Sequence, residues 1–226
     1  MYEHKLYDNS GNLDVALLVP PEAIDVLDIG CGAGATGILI KQLNNEIRIH
    51  GITINAKEAE KAAAVYEKVF IADLEREDLG KILPTRYDAI ICSHILEHLK
   101  APDEFIASIS ELLNPAGILI VALPNIAHWK SRIKILFGKF DYEETGVMDD
   151  THIRFFTYHS ADQFIFRKTE KIQVTKKGVT GNAPLWKMRN ILPSQVTIKL
   201  NKIACASFPN LLGSQILITA QLVRRK

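Results

Sequence analysis

The sequence predicts an α/β fold, a mostly parallel sheet with helices on both faces. Three observations carry that reading. Short apolar, strand-like runs alternate with helix-like segments through the first 123 residues, and that alternation is the mark of parallel strands joined by crossover helices. The clearest run, residues 117–123, is apolar throughout, as a strand buried on both faces has to be. The first run, residues 25–29, leads directly into a cluster of glycines before the first helix-like segment. The crossovers are expected to be right-handed.

Taken in order, residues 25–29 form the first strand and 35–43 the first helix. Residues 47–54 alternate β-branched and polar positions and read as a strand, and 56–66, rich in Ala, Glu and Lys, as a helix. Residues 69–72 and 87–92 are short strands. Residues 102–113 carry apolar side chains at 105, 106, 109, 112 and 113, the stripe of an amphipathic helix. After Pro124 the pattern loosens. It allows a helix over 126–137, a loop over 140–151, a short strand over 153–157 and a helix over 159–166. Residues 172–179 alternate as a strand. Residues 185–208 are amphipathic but interrupted by Pro193, which breaks or bends any helix there. Residues 214–223 form the last strand. No linker or repeat divides the chain, so residues 1–226 are read as one domain.

Composition excludes several classes. The 226 residues are 47% hydrophobic and 23% charged, unlike a disordered chain. No apolar run reaches the ~18 residues of a membrane span, and the first residues lack the apolar stretch of a secretory signal. Three cysteines, Cys31, Cys92 and Cys205, are too few and scattered for a disulfide framework or a zinc cage. No metal site is expected, and the reducing cytoplasm is the expected compartment.

The most informative stretch is the glycine turn after the first strand. Residues 32–37 are a literal G-x-G-x-x-G, the fingerprint of a dinucleotide site. Asp28, two residues before Gly30, opposes that reading, because a carboxylate at this turn repels a pyrophosphate and favours a cationic ligand. The pattern Asp28-x-Gly30-x-Gly32-x-Gly34 resembles the motif of class I S-adenosylmethionine-dependent methyltransferases. Further stretches are similar to that family in the same order: residues 69–74, ending in Asp73 and Leu74; residues 87–99; and residues 112–125. Residues 124–129, 138–140, 151–157 and 209–215 are similar to one bacterial branch that acts on small molecules and sugars.

The resemblance implies a Rossmann-like seven-stranded sheet. Its antiparallel last strand would pair with residues 172–179, and a substrate cap would come from about 125–160. It implies S-adenosylmethionine as cofactor and S-adenosylhomocysteine as product, held by Asp28, Gly30, Cys31, Gly32, Gly34, Thr53, Ile54, Asp73, Leu74 and Ser93. The reaction implied is O-methylation of a small metabolite or sugar. N-methylation, and a degenerate nucleoside-binding domain acting as a partner or scaffold, remain alternatives. The chain departs from the family at Thr53, where an acid usually grips both ribose hydroxyls, with Asn55 near enough in sequence to assist. It departs again at Ala116, where the turn usually has glycine.

Two histidines are candidates for the general base of a hydroxyl acceptor: His128, just after the fifth strand, and His152, beside Asp149 and Asp150. Trp129, Phe155 and Phe156 are either pocket walls or core, with core favoured for at least one Phe. Residues 94–98 spell H-x-x-E-H, a zinc-protease signature. That chemistry needs a helix, and here the motif follows a strand, so it reads as a loop over the cofactor. Cys31 and Cys92 read as small packing residues rather than catalytic thiols.

Charge is uneven. Residues 171–226 hold ten Lys or Arg and no acid, which leaves 17 basic and 26 acidic residues before them. Lys171, Lys176, Lys177, Lys187 and Arg189 are the expected contributors to a positive surface that would favour an anionic acceptor. Arg224, Arg225 and Lys226 read as a solvated tail. Aromatic residues are sparse there, so no nucleic-acid partner is expected.

Overall fold

The computed structural model describes residues 10–182 and 193–223. A single sheet of seven strands runs in the order β3-β2-β1-β4-β5-β7-β6. Its elements in chain order are α1 (Leu13–Ala16), β1 (Asp25–Ile29), α2 (Ala35–Leu43), β2 (Arg48–Thr53), α3 (Ala56–Ala62), β3 (Lys68–Ile71), α4 (Leu79–Ile82), β4 (Tyr87–Ser93), α5 (Pro102–Ile109), β5 (Leu113–Pro124), α6 (Trp129–Leu136), α7 (Ala161–Ile165), β6 (Ile172–Gly181), α8 (Ser194–Ser207), α9 (Pro209–Leu212) and β7 (Gly213–Leu222). β1 pairs in parallel with both β2 and β4, and β4 with β5. β7 lies antiparallel between β5 and β6.

The central strands are mostly apolar because both faces are covered. Side chains alternate across a strand, so neighbouring residues enter different layers. Leu27, Ile29, Ile90 and Leu119 join the core that contains Ile106 of α5 and Ile165 of α7. Val26, Ile49, Ile91 and Ile120 join the second core, with Val15 of α1 and Ile40 of α2. Asp28 shares the parity of Val26 and so projects on the α2 side. β1 is where the strand order reverses: β2 lies on one side of it and β4 on the other. In such sheets the crevice beyond the carboxyl ends at the reversal receives the ligand.

The strand expectations hold to within a residue or two at most ends, with β5 starting earlier than residue 117. The helices are shorter than periodicity predicts. The 56–66 segment is helical only to Ala62, then turns to place Tyr66. The 102–113 helix ends at Ile109 and tightens into a 3₁₀ turn, Ser110–Leu112. The 126–137 segment is helical over Trp129–Leu136, and 159–166 only over Ala161–Ile165. Residues 153–157 make no strand; Phe156 alone bridges to Asn125. Pro193 begins the α8 helix rather than bending it, because at a helix start its missing N–H has no partner to lose. The part of the 185–208 expectation before residue 193 lies outside the described residues. Among the described residues no helix is long and apolar enough to cross a membrane, and all three cysteines are free and buried.

Candidate active site

A cavity of about 1450 Å³ opens beyond the carboxyl ends of β1, β2, β3 and β4. Asp28, Gly30, Cys31, Gly32, Thr53, Ile54, Asp73, Leu74 and Ser93 all line it, as does His152. Two sequence candidates do not. Gly34 is the N-cap of α2 in a left-handed conformation, and a Cβ there would lie 3.1 Å from the Ala62 backbone, so it serves helix packing. His128 sits at the start of α6, is buried, and packs its ring 5.6 Å from that of Trp129. Its pKa is lowered by burial and then by the Lys130 charge. It lies outside the cavity lining, because α6 starts later than periodicity predicts and His128 becomes its N-cap. Trp129, Phe155 and Phe156 are likewise absent from the lining, and Phe156 is core, 3% exposed.

The glycine turn divides its labour. Gly32 has φ +53°, and a Cβ there meets nothing within 4 Å, so the turn leaves open space on the cavity side. Gly37, the last glycine of the apparent dinucleotide fingerprint, serves another purpose. A Cβ at Gly37 would lie 1.7 Å from Cε1 of Tyr66. Seated there, the Tyr66 hydroxyl donates to Asp28 Oδ2 at 2.6 Å and accepts from the Gly37 N–H at 3.2 Å. Burial pushes the Asp28 carboxyl up to about 6, against the lowering effect of the Tyr66 hydroxyl. The cavity thus presents a carboxylate that gains from a cationic partner. Burial also pushes the Cys31 and Cys92 thiols up, with the charge of Asp28 adding to it. Neither is a thiolate nucleophile, as expected for packing residues.

At the end of β2 a carboxylate from the next helix meets Thr53. The Thr53 hydroxyl donates to Glu58 Oε2 at 2.8 Å and accepts from the Asn55 N–H at 3.2 Å. Asn55 caps α3, accepting from the N–H of Lys57 at 2.9 Å. Glu58 is buried, lines the cavity, and places its carboxylate against Thr53. Sequence reading missed it because the acid comes from the next helix. The signal was present, though: Asn55-x-x-Glu58 has capping-box spacing, which draws the N3 acid back toward the turn.

A second polar network closes the other side. Asn12 donates from its amide to Ser93 Oγ at 3.1 Å and to Gln215 Oε1 at 2.6 Å. His94 meets the same Gln215 oxygen through Nε2 at 2.6 Å. Its φ of +53° turns the chain sharply after β4, so residues 94–98 are not the helix that the protease signature requires. Leu96–His98 is a 3₁₀ turn. The loop reading of that motif stands, but its residues gather differently from any expectation: Glu97, His98 and His152 place ligand atoms within 4.8 Å of one another.

Of the basic C-terminal region, Lys171, Lys176 and Lys177 lie outside this cavity, whereas Lys202 of α8 lines it. Lys171 pairs with Glu111, and Lys177 pairs with Asp162 at 2.5 Å and lies over the Tyr158 ring. Lys176 is exposed outside the lining. Lys187, Arg189 and residues 224–226 lie outside the described residues. The lining itself is acidic. Asp14, Asp28, Glu58, Asp73, Glu75, Glu97 and Asp149 stand against Arg76, Lys100 and Lys202. Among the described residues, Lys171, Lys176 and Lys177 bring no charge to the lining, and Lys202 is the C-terminal cation that does. Lys171 and Lys177 find their acids in the body of the fold, a pairing that charge counting along the chain cannot see.

Residues 2–164 match the family model described as a methyltransferase domain. The chain belongs to that family, and its fold is that of the class I S-adenosylmethionine-dependent methyltransferases. It is 31% identical over 100 residues to the mitochondrial ubiquinone biosynthesis O-methyltransferase of Schizosaccharomyces pombe, covering 43% of this chain and 36% of that one. It is 26% identical over 131 residues to the tRNA 5-carboxymethoxyuridine methyltransferase of Escherichia coli K12, covering 56% and 50%. A crystal structure of a SAM-dependent methyltransferase from Archaeoglobus fulgidus superimposes with a TM-score of 0.60 at 20% identity, covering 93% of this chain and 91% of that one. The chain spans a quarter to a half of the length of the curated relatives it matches first.

Proposed function

We propose that the protein transfers a methyl group from S-adenosylmethionine to a hydroxyl oxygen of a small metabolite or sugar in the cytoplasm. The observation that carries this is the pairing, in one cavity, of a buried Asp28 carboxylate with the open left-handed turn at Gly32. A donor with an ammonium group and a sulfonium satisfies that carboxylate; a pyrophosphate does not. Glu58 would accept the ribose hydroxyls, Asp73 the adenine amino group, and Ser93 would border the transferred methyl. The loop of residues 145–152 and helix α8, which contribute Val147, His152 and Asn201 to the lining, would cap the acceptor. In the transfer, the acceptor oxygen forms a bond to the methyl carbon as the carbon–sulfur bond breaks. The bonding pair stays on sulfur, and the hydroxyl proton leaves. S-adenosylhomocysteine is the product.

The acidic lining supports a neutral or cationic acceptor over the anionic one that the C-terminal charge predicts. Calorimetry with S-adenosylhomocysteine and with NAD tests the donor assignment. Binding of the first alone is expected, and NAD binding would overturn it. Mass spectrometry of candidate hydroxyl and amine acceptors, incubated with methyl-labelled donor, then tests O-transfer against N-transfer.

A further inference from the structure

The Glu97 carboxylate is fully buried, and neither of its oxygens has a hydrogen-bond partner. Within ion-pair distance of Oε1 lie His94 Nδ1 at 3.4 Å and His152 Nε2 at 3.8 Å. An ionised carboxylate left this way costs several kcal/mol unless a cation completes it. Both neighbouring imidazoles of the cluster are prepared for that cation. The Nδ1–H of His98 meets the Thr151 carbonyl at 3.2 Å, and the Nδ1–H of His152 meets the Val147 carbonyl at 3.1 Å. Each bond places the proton of a neutral ring on Nδ1 and makes Nε2 the ligand atom, the arrangement found behind metal-ligating histidines. The backbone holds the two segments together, since the N–H groups of Ile153 and Arg154 both donate to the Glu97 carbonyl at 3.0 Å.

We propose that Glu97, His98 and His152 bind one divalent first-row transition ion of the zinc class at the floor of the cavity. Two imidazoles and one carboxylate form the three-ligand set of a catalytic site with an open position, and their mixed nitrogen and oxygen donors suit zinc, manganese or iron rather than magnesium or calcium. All three ligands line the cavity, so the open position faces the acceptor. The role of the ion rests on the methyl-transfer reading above. It would bind the acceptor hydroxyl and lower its pKa, so that the proton passes to water and the alkoxide attacks the methyl carbon. The carbon–sulfur electron pair returns to sulfur as before. His152 then acts as a ligand rather than as the base the sequence points to.

Chelator-treated, dialysed full-length protein titrated with zinc, manganese and, anaerobically, iron(II) is expected to bind one equivalent of at least one of them. Elemental analysis gives the stoichiometry, and cobalt(II) loading is expected to produce a visible d–d band. Glu97→Gln, which keeps the side chain's size, and His152→Ala are each expected to weaken binding at least 100-fold and abolish the band. His159→Ala, exposed and outside the cavity, leaves both unchanged. Circular dichroism checks folding, and Glu97→Gln decides alone if His152→Ala unfolds. Absence of binding by the wild type, or equal binding by wild type and Glu97→Gln, overturns the proposal. Calorimetry with S-adenosylhomocysteine separates the two readings. Donor binding with no metal binding sinks only the metal site, and metal binding with no donor binding sinks only the transferase reading.

Discussion

Asp28 and Glu58 make opposite use of burial. Asp28 stands at the switch of the sheet with one hydrogen bond, from Tyr66, and with its pKa pushed up to about 6. A folded pKa above the unfolded value contributes stability that is complete below about pH 4 and lost as pH rises through about 6. Two outcomes follow from that sign. Asp28→Asn, which keeps an acceptor for Tyr66, is expected to raise stability by about 1–3 kcal/mol above pH 7 in urea unfolding and to lose S-adenosylhomocysteine binding. In the wild type, where only the carboxylate attracts the ligand's ammonium, the dissociation constant is expected to rise about tenfold per pH unit below about pH 6; a flat profile from pH 7 to 5 by calorimetry would refute the pairing. Glu58 is already engaged by the Thr53 hydroxyl. Glu58→Gln is expected to weaken S-adenosylhomocysteine binding by roughly 1–3 kcal/mol, the value of hydrogen bonds to a charged group. Thr53→Glu, which sequence comparison alone would treat as a restoration, is expected to weaken it too, because two carboxylates would then share one buried corner. Tighter binding by Thr53→Glu would show that Glu58 does not hold the ribose.

Each element was legible in proportion to how much of it is set by local periodicity. β1, β4 and β5 declare themselves because burial on both faces makes them predominantly apolar. The glycine turn and Asp28 declare the cofactor corner. What failed were features set by partners distant in sequence. The short helix α1 gives no periodic signal in four residues, yet it brings Asn12 to Ser93 and Gln215. Glu97 and His98 looked like a misplaced protease motif until the 145–152 loop supplied His152. Gly37 looked like a phosphate-binding glycine, and only the return of the chain from α3 shows that it seats Tyr66. That last point carries a prediction for the α2–α3 layer. Gly37→Ala puts a methyl group where the Tyr66 ring lies and is expected to destabilise the protein by about 1–3 kcal/mol through overpacking. In a Tyr66→Ala background the same change is expected to cost almost nothing. A double-mutant cycle by urea unfolding measures the coupling, and an unchanged cost in that background would place the clash elsewhere.

At the scale of the molecule part of the uneven charge along the chain is paired across the fold. Residues 171–226 carry no acid, but β6 lies at the sheet edge beside the body of the fold, where Glu111 and Asp162 meet Lys171 and Lys177. The cavity is left with a carboxylate-rich wall. A polyanion such as tRNA would have to approach it against that field, and its binding elsewhere would weaken steeply with salt through counterion release. A small uncharged hydroxyl acceptor feels little of either effect, because screening over about 8–10 Å acts only on charged encounters. Methyl transfer to such an acceptor is therefore expected to change kcat/KM by less than about twofold between 50 and 500 mM salt, at low salt the regime in which steering is strongest. The measurement is a labelled-methyl assay at fixed pH over that range. A fall of tenfold or more would mean that the acceptor is anionic after all, and would direct attention to Lys202, Arg76 and Lys100, the basic side chains that line the cavity.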